Sequence, residues 1–496
     1  MKIMMLFPLW SEEYGATISH FAKKAGHYPP LNLAYLAALA ERQGCEVRII
    51  DGEADGIPLP KLVEKTVEFS PDLVGITATT PFYHIAVELA TKLKEKLPGV
   101  TVVIGGPHIT VMKEKAFNEC FDYAFIAEAD NSWPQFLEKF KNKDDTSTIG
   151  GLLYRRNGEI MSTGPSEPLN DVNTVPIPAR HLLNMDSYTL GTMKGIKNFT
   201  SIMTVRGCPF SCIFCSTKVF GKDFRKKEPK KVIEEIKECI EKYGVKHFMF
   251  LDDTLTLHRQ HIIDICNLII EEKLDITFEG STRANLVDEE LVARMAKAGL
   301  IRLSFGLESA DENIRITMKK MVPLEAYITA NKLTNKYGIE TLNSCMIGLP
   351  GETRETVKKT LAFLRNSKEI KQANISIAVP YPGTELSEMA KTGQMALKLE
   401  TEDFSNYRRY NAAVMTVGDL SPDDLIEIQN EAFASIYMAP WRWEPMINKS
   451  GMMGAAITFR RLVSALKKGG TRYITNEQLG ITESSMQVAA DSSVQA

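Results

Sequence analysis

The sequence predicts an α/β protein: a doubly wound parallel sheet, then a partial parallel barrel of six strand–helix units, then a small helical region. Three observations predict it. Residues 2–141 alternate short apolar runs with amphipathic stretches, the pattern of a parallel sheet covered by helices on both faces. The alternation lapses between Gly164 and Arg180, where Pro165, Pro168, Pro176 and Pro178 mark a surface connection, and resumes near Phe199. One loop of the second series gathers Cys208, Cys212 and Cys215 in R-G-C-P-F-S-C-I-F-C-S.

In the first series, strands are expected at Ile3–Phe7, Glu46–Ile50, Leu73–Thr77, Val100–Ile104 and Tyr123–Ile126. Helices are expected at Leu31–Gln43, Lys61–Phe69, Ile85–Leu97, Met112–Asn118 and Trp133–Phe140. Pro29-Pro30 start the first helix and Gly44 stops it. Leu152–Tyr154 and Glu159–Ser162, around Asn157-Gly158, read as a hairpin. In the second series, strands Ser201–Val205, His247–Leu251, Ile276–Glu279, Ile301–Gly306, Thr341–Ile347 and Ala373–Val379 alternate with helices Lys231–Tyr243, Gln260–Glu272, Glu289–Ala298, Leu324–Tyr337 and Arg354–Arg365. Helices Leu425–Met438 and Ile457–Leu466 follow. Between them, Pro440-Trp441-Arg442-Trp443-Glu444-Pro445 with Met446, Met452 and Met453 reads either as a cap on the open side of the barrel or as a wall for an apolar substrate. The resulting division is 1–145, a hairpin and linker 146–195, the barrel 196–390, a helical cap 391–481 and a disordered tail 482–496.

Composition bounds the function. With 496 residues, 44% hydrophobic, 24% charged and net charge −3, the chain is long enough for two or three globular domains and carries no basic footprint for nucleic acid. Eight cysteines are too sparse for a disulfide scaffold, and three in one loop suit a metal in a reducing cytoplasm. The apolar start M-K-I-M-M-L-F-P-L-W is too short for a secretion signal, and no stretch approaches a membrane span.

The cysteine spacing is C-x3-C-x2-C. Three thiolates can hold three corners of an iron–sulfur cube, leaving one iron open, as a catalytic site requires. A zinc knuckle would want a fourth Cys or His nearby; the next cysteine, Cys239, falls in an expected helix. The loop follows the first strand of the second series, and barrels place their chemistry at the carboxyl ends of strands. The other strand ends carry Asp252-Asp253-Thr254, Ser281-Thr282-Arg283, Gly306-Leu307-Glu308-Ser309, Gly348-Leu349-Pro350-Gly351-Glu352-Thr353 and Pro380-Tyr381-Pro382-Gly383-Thr384. Taken singly, Asp252 also suits a helix N-cap, Arg283 a surface ion pair and Glu308 an internal acceptor.

The cysteine loop with these strand ends resembles the radical S-adenosylmethionine (SAM) enzymes. The resemblance implies a [4Fe-4S] cluster on Cys208, Cys212 and Cys215, with SAM chelating the open iron. It implies that Asp252, Asp253 and Thr254 take the SAM ammonium, Ser281 and Arg283 its carboxylate and Glu308 the ribose. Phe214 and Gly348, Leu349 and Pro350 would then flank the adenine. The first series has no G-x-G-x-x-G and no P-loop, which argues against a dinucleotide. It resembles the cobalamin-binding domain that precedes many radical SAM cores, through Pro29-Pro30-Leu31-Asn32-Leu33-Ala34-Tyr35-Leu36-Ala37, Asp51, Thr77 to Thr80 and Gly105-Gly106-Pro107-His108. That resemblance implies cobalamin contacts at Thr77, Thr79, Thr80, Gly105, Gly106, His108 and Glu128. The D-x-H-x-x-G motif is absent, so cobalt is expected to lack a protein histidine ligand, with His108 at the corrin periphery or tail. Where the family often has G-E-G-E, this chain has Ala127-Glu128-Ala129-Asp130; the added methyl groups narrow a close backbone approach.

The family implies reductive cleavage of SAM to a 5′-deoxyadenosyl radical and, in the methylase branch, methyl transfer from methylcobalamin to an unactivated carbon of a small-molecule or lipid substrate. An external donor of flavodoxin or ferredoxin type would supply the electron. A ring-forming oxidation or rearrangement on the same scaffold is the alternative. A non-catalytic cobalamin or iron–sulfur sensor is a third reading, though a sensor needs neither an open iron nor contacts for SAM.

Overall fold

The computed structural model describes residues 1–11, 27–190, 196, 198–216, 219–437 and 439–443. The helix expected at 457–466, the residues Glu444, Pro445, Met446, Met452 and Met453, and the tail 482–496 lie outside the described residues.

The first sheet contains β1 (Lys2–Phe7), β2 (Glu46–Asp51), β3 (Leu73–Thr77), β4 (Thr101–Gly105), β5 (Tyr123–Phe125), β6 (Leu152–Arg156) and β7 (Glu159–Ser162), in the order β2-β1-β3-β4-β5-β6-β7. The first five run parallel; β6 and β7 return antiparallel. The hairpin read as part of the connection therefore continues this sheet, with Tyr154 opposite Tyr123. Every residue of β3 is buried, as a parallel strand with both faces covered should be. One cover is helix Leu31–Arg42, whose Ala34, Ala37 and Ala40 let it sit close to the sheet. The indole of Trp133 packs beside it and donates to the carbonyl of Leu36 at 3.0 Å. The helix expected over Met112–Asn118 instead spans Pro107–Met112 and ends in a 3-10 turn; Pro107 sets its first turn directly after Gly106.

The second sheet joins β8 (Phe199–Ile202), β11 (His247–Phe250), β12 (Thr277–Thr282), β13 (Leu300–Glu308), β14 (Glu340–Ile347) and β15 (Ala373–Ile377), all parallel, in the order β15-β14-β13-β12-β11-β8. Between β8 and β11 a two-residue ladder forms from β9 (Val205–Arg206) and β10 (Arg225–Lys226). β13 outruns its expected end because a bulge between Gly306 and Glu308 carries it two residues further. A last antiparallel pair, β16 (Leu397–Leu399) and β17 (Met415–Val417), precedes helix Pro422–Tyr437.

That helix covers the open side of the barrel. Along the edge strand β15, the Gln429 amide donates to the carbonyl of Ile375, the Tyr437 hydroxyl donates to that of Ala373, and the amide of Ile377 donates to Arg409. Arg442 is 1% exposed and donates to the carbonyls of Lys371 and Leu364. Burial lowers its guanidinium to about 10. Arg442 thus latches the Trp441–Trp443 stretch to the barrel wall.

The connection is fixed by buried charge. Arg180 donates to Glu235 at 2.7 Å, to the Ser201 carbonyl at 2.7 Å and to Thr200 at 3.2 Å. Lys227 holds the other oxygen of Glu235 at 2.8 Å and the Tyr35 hydroxyl at 3.0 Å. Helix Leu31–Arg42, the connection and the barrel meet in this knot.

Candidate active site

The cysteine loop is an excursion closed at its base by the β9–β10 ladder. It leaves the ladder at Gly207, whose φ of +91° and position 2.2 Å from the Asp223 carbonyl oxygen, measured from where a Cβ would stand, exclude a side chain. Cys208 N donates to Gly221 at 3.3 Å and Cys215 N donates to Cys212 at 3.1 Å. From the barrel side, Ile213 N donates to Met318 and Leu386 N donates to Ile213. The three cysteines face a cavity of about 250 Å³ at the carboxyl ends of β11 to β14. Phe214, Asp253, Thr254, Ser281 and Arg283 line it too. Among the described residues no three His, Cys, Asp or Glu side chains converge as ligands of a single ion do. In a cube each thiolate binds a different iron, so its sulfurs stand apart.

The chemistry of this donor set fits such a cluster. Desolvation pushes the Cys215 thiol up to about 11, and Asp253, Cys208 and Cys212 add to the rise; a cationic metal core held by these thiolates would reverse that balance. The Arg283 guanidinium lies 3.8 Å from the centre of the Phe210 ring, donates to the Lys320 carbonyl and approaches the Cys212 sulfur at 3.9 Å. Its Nε is buried without a partner among the described residues. Thr254 Oγ1 stands 4.0 Å from the Cys208 sulfur.

The structure separates the adjacent acids. Asp252 does not line the cavity: its carboxylate accepts from Thr204 N at 2.7 Å, Val205 N at 3.0 Å and Thr204 Oγ1 at 2.5 Å. Burial raises it to about 6 against the pull of these bonds. This corrects the expectation that both acids face a cosubstrate. Asp253 accepts no hydrogen bond among the described residues and opens into the cavity, where enclosure by protein raises its pKa.

A further placement is corrected. Gly348, Leu349 and Pro350 do not line this cavity. Their turn is closed by Glu352, which accepts from Gly348 N at 2.6 Å and Leu349 N at 3.2 Å, while the Leu349 side chain lies in the barrel core. Glu308 lies two residues beyond Gly306 of the cavity lining and is paired with Lys320 at 3.1 Å. Lys320 itself lines the cavity and went unread in sequence, where it is one lysine in a run of two.

A second cavity, about 540 Å³ and mainly apolar, lies between the two sheets. On the first-domain side it is floored by the carboxyl ends of β1, β3 and β4, the point at which the strand order reverses. Thr77, Thr79, Gly105, Gly106 and Glu128 line it. A Cβ on Gly105 would project into open space, whereas one on Gly106, at φ +104°, would meet Ala78 O at 2.8 Å and Thr77 Oγ1 at 2.9 Å. The Thr79 hydroxyl is buried without a partner among the described residues. A glycine cradle with an unspent hydroxyl and apolar walls suits a large flat ring with polar edges.

His108 and Thr80 do not line this cavity, a correction to the sequence reading. The His108 ring is 1% exposed, bonds Thr80 Oγ1 at 3.2 Å and packs between Tyr83 and Phe404; burial lowers it to about 4. Helix Pro107–Met112 starts immediately after Gly106 and turns this side chain into the core. Among the described residues no histidine lines the cavity. Asp51 is likewise spent locally, capping a short turn through Ala54 N at 3.0 Å. Ala127 takes φ +64°, a left-handed conformation that glycine adopts more readily than alanine.

Sequence reasoning missed Arg206, two residues before the first cysteine. It grips Asp130 through two bonds of 2.9 and 3.1 Å, pairs with Glu128 and lies over the Tyr35 and Phe220 rings. Arg225 holds the other oxygen of Glu128 at 2.6 Å. The end of β5 is thereby tied to both strands at the base of the cysteine loop. The available signal was the acidic pair Glu128 and Asp130 with Arg206 and Arg225, which periodicity could not pair.

Comparison with known proteins agrees with this geometry. Residues 21–137 match the B12 binding domain family and residues 202–364 the radical SAM superfamily. An uncharacterised methyltransferase of Pyrococcus horikoshii is 35% identical over 83% of this chain and 88% of its own length. The anaerobic magnesium-protoporphyrin IX monomethyl ester cyclase of Cereibacter sphaeroides is 29% identical over 85% of this chain and 70% of its own. The radical SAM methyltransferase TsrM of Kitasatospora setae, solved with cobalamin and a [4Fe-4S] cluster, shares the fold with a TM-score of 0.71 at 16% identity, covering 95% of this chain and 100% of that one. The chain belongs to the radical SAM superfamily, among the enzymes that carry a B12-binding domain ahead of the radical SAM domain.

Proposed function

We propose that this enzyme cleaves SAM reductively and passes a methyl group, carried by cobalamin, to an unactivated carbon of a small-molecule or lipid substrate. The observation that carries the reading is the junction of the two cavities: Asp253 lines both. A substrate held there is within reach of both cofactors.

Cys208, Cys212 and Cys215 would hold the cluster, and Thr77, Thr79, Gly105 and Gly106 the cobalamin. Bound there, the cluster would supply the electron that splits SAM, and cobalamin would carry the methyl group. Asp253 and Thr254 offer acceptors for the SAM ammonium, Ser281 and Arg283 donors for its carboxylate, Glu308 an acceptor for the ribose diol and Phe214 an apolar face for the adenine. Met203 and Leu251, apolar and facing the inter-sheet cavity, keep water from the junction. A flavodoxin- or ferredoxin-type protein would deliver the electron. The methyltransferase relative supports the methylase outcome; the cyclase relative supports the alternative.

The test is anaerobic. The protein is reconstituted with iron, sulfide and cobalamin and given methyl-labelled SAM and a low-potential reductant. Label on the bound cobalamin, matched by S-adenosylhomocysteine, is expected. Unlabelled cobalamin with accumulating 5′-deoxyadenosine would replace methyl transfer with the cyclase-type reaction.

A further inference from the structure

Beside the cysteine cavity three neighbouring residues are bent out of ordinary geometry. Glu308 has φ +63° and follows the bulge that ends β13. Lys319 and Met321 have φ +54° and +51°, flanking Lys320 on both sides. Non-glycine residues in this region are strained, and bulges re-aim side chains beside active sites. The consequence here is directional. Lys319 points outward to an exposed pair with Glu385 at 2.6 Å, while Lys320 turns inward and is 8% exposed.

The inward lysine meets the bulged acid: Lys320 Nζ lies 3.1 Å from Glu308 Oε1. The pair crosses Gly306, where a Cβ would stand 2.3 Å from Glu308 Oε1 and 2.7 Å from Lys320 Nζ. That glycine is in turn held by the Tyr327 hydroxyl, which donates to its carbonyl at 2.7 Å. The Lys320 backbone is anchored as well, since Arg283 donates to its carbonyl. The bond to Lys320 takes Oε1 of Glu308, which leaves Oε2 as an acceptor.

We infer that Lys320 is a positioning residue for the nucleoside part of the cosubstrate. It fixes one carboxylate oxygen of Glu308 so that the other is presented, already oriented, to a vicinal diol. The inference rests on the reading of Glu308 as the ribose acceptor. A flexible glutamate must be ordered at each binding event, and that cost is removed when a buried cation holds it beforehand. Arginine keeps the charge and some of the geometry; methionine keeps the volume and loses the bond.

The experiment measures binding, not turnover. Wild type, K320M, K320R, E308Q and the K320M/E308Q double variant are reconstituted anaerobically, iron per chain is counted, and the dissociation constant for labelled SAM is read by equilibrium dialysis. Expected results are full iron in every variant, about tenfold weaker binding for K320M, substantial recovery for K320R, and a double variant no weaker than E308Q alone, as for two residues acting in series. Wild-type affinity in K320M with weakened E308Q would overturn the inference and leave the ribose reading standing. Wild-type affinity in E308Q would overturn the ribose reading and the inference with it. Losses that multiply in the double variant, or K320M and K320R chains that cannot hold iron, would also overturn it by assigning Lys320 an independent or merely structural part.

Discussion

Asp252 and Asp253 are neighbours of the same chemistry with opposite tasks. One is filled by three protein donors; the other opens on a cavity. D252N therefore should lower thermal stability by about 2 kcal/mol, since removing an acceptor from buried donors leaves them short, with little change in SAM affinity. D253N should leave the melting temperature unchanged and weaken SAM binding about tenfold, the loss of one charge-assisted contact. Melting curves beside equilibrium dialysis check both. Alanine at Cys208, Cys212 or Cys215 should abolish 5′-deoxyadenosine and reduce bound iron. The sequence announced the cysteines because spacing alone constrains a cluster. It could not divide the two aspartates, because which of two consecutive side chains meets Thr204 depends on where β8 lies beside β11. Glu352 makes a different prediction. Burial raises its carboxyl to about 8, so between the unfolded value and that pH the native state keeps a proton that the unfolded chain releases. Its contribution is present at low pH and is lost as pH climbs toward 8. E352Q should flatten this dependence and, at pH 8, add roughly 3 kcal/mol in chemical denaturation.

At the scale of elements, the strands were readable and their endings were not. Apolar alternation located every strand of the barrel to within a few residues, because both faces of a parallel sheet are covered. The bulge that carries β13 to Glu308 left no mark on periodicity, and neither did the early start of helix Pro107–Met112 that withdraws His108 from the cavity. Glycines at strand ends were informative for the reason the structure gives: at Gly106 two strand ends approach too closely for a side chain. Gly105 differs, since its missing Cβ faces open space. G105L should fold normally, because a Cβ there meets nothing within 4 Å and the side chain would extend into the cavity, yet lose cobalamin on gel filtration after reconstitution; retention at the wild-type level would remove β4 from the proposed cobalamin site.

At the scale of the whole molecule, two buried ionic knots join the first sheet to the barrel. One runs through Arg180, Glu235, Lys227 and Tyr35, the other through Arg206, Arg225, Glu128 and Asp130. Breaking a buried pair from one side costs about 3–5 kcal/mol because the other charge is stranded. R206M should therefore lower the midpoint of unfolding and turn one transition into two as the halves uncouple, visible by calorimetry. These knots escaped sequence reading because their members lie tens of residues apart and each looks like a surface charge.

The barrel edge has a consequence beyond the active site. A bare parallel strand is a template on which other chains can polymerise. Here the carbonyls of β15 are taken by Gln429 and Tyr437, and Arg442 bolts the covering helix in place. A chain cut before residue 422 would keep both cavities and all three cysteines, yet it would expose this ribbon and leave solution as aggregate. Protection of the barrel edge thus falls to a segment whose described residues line neither cavity.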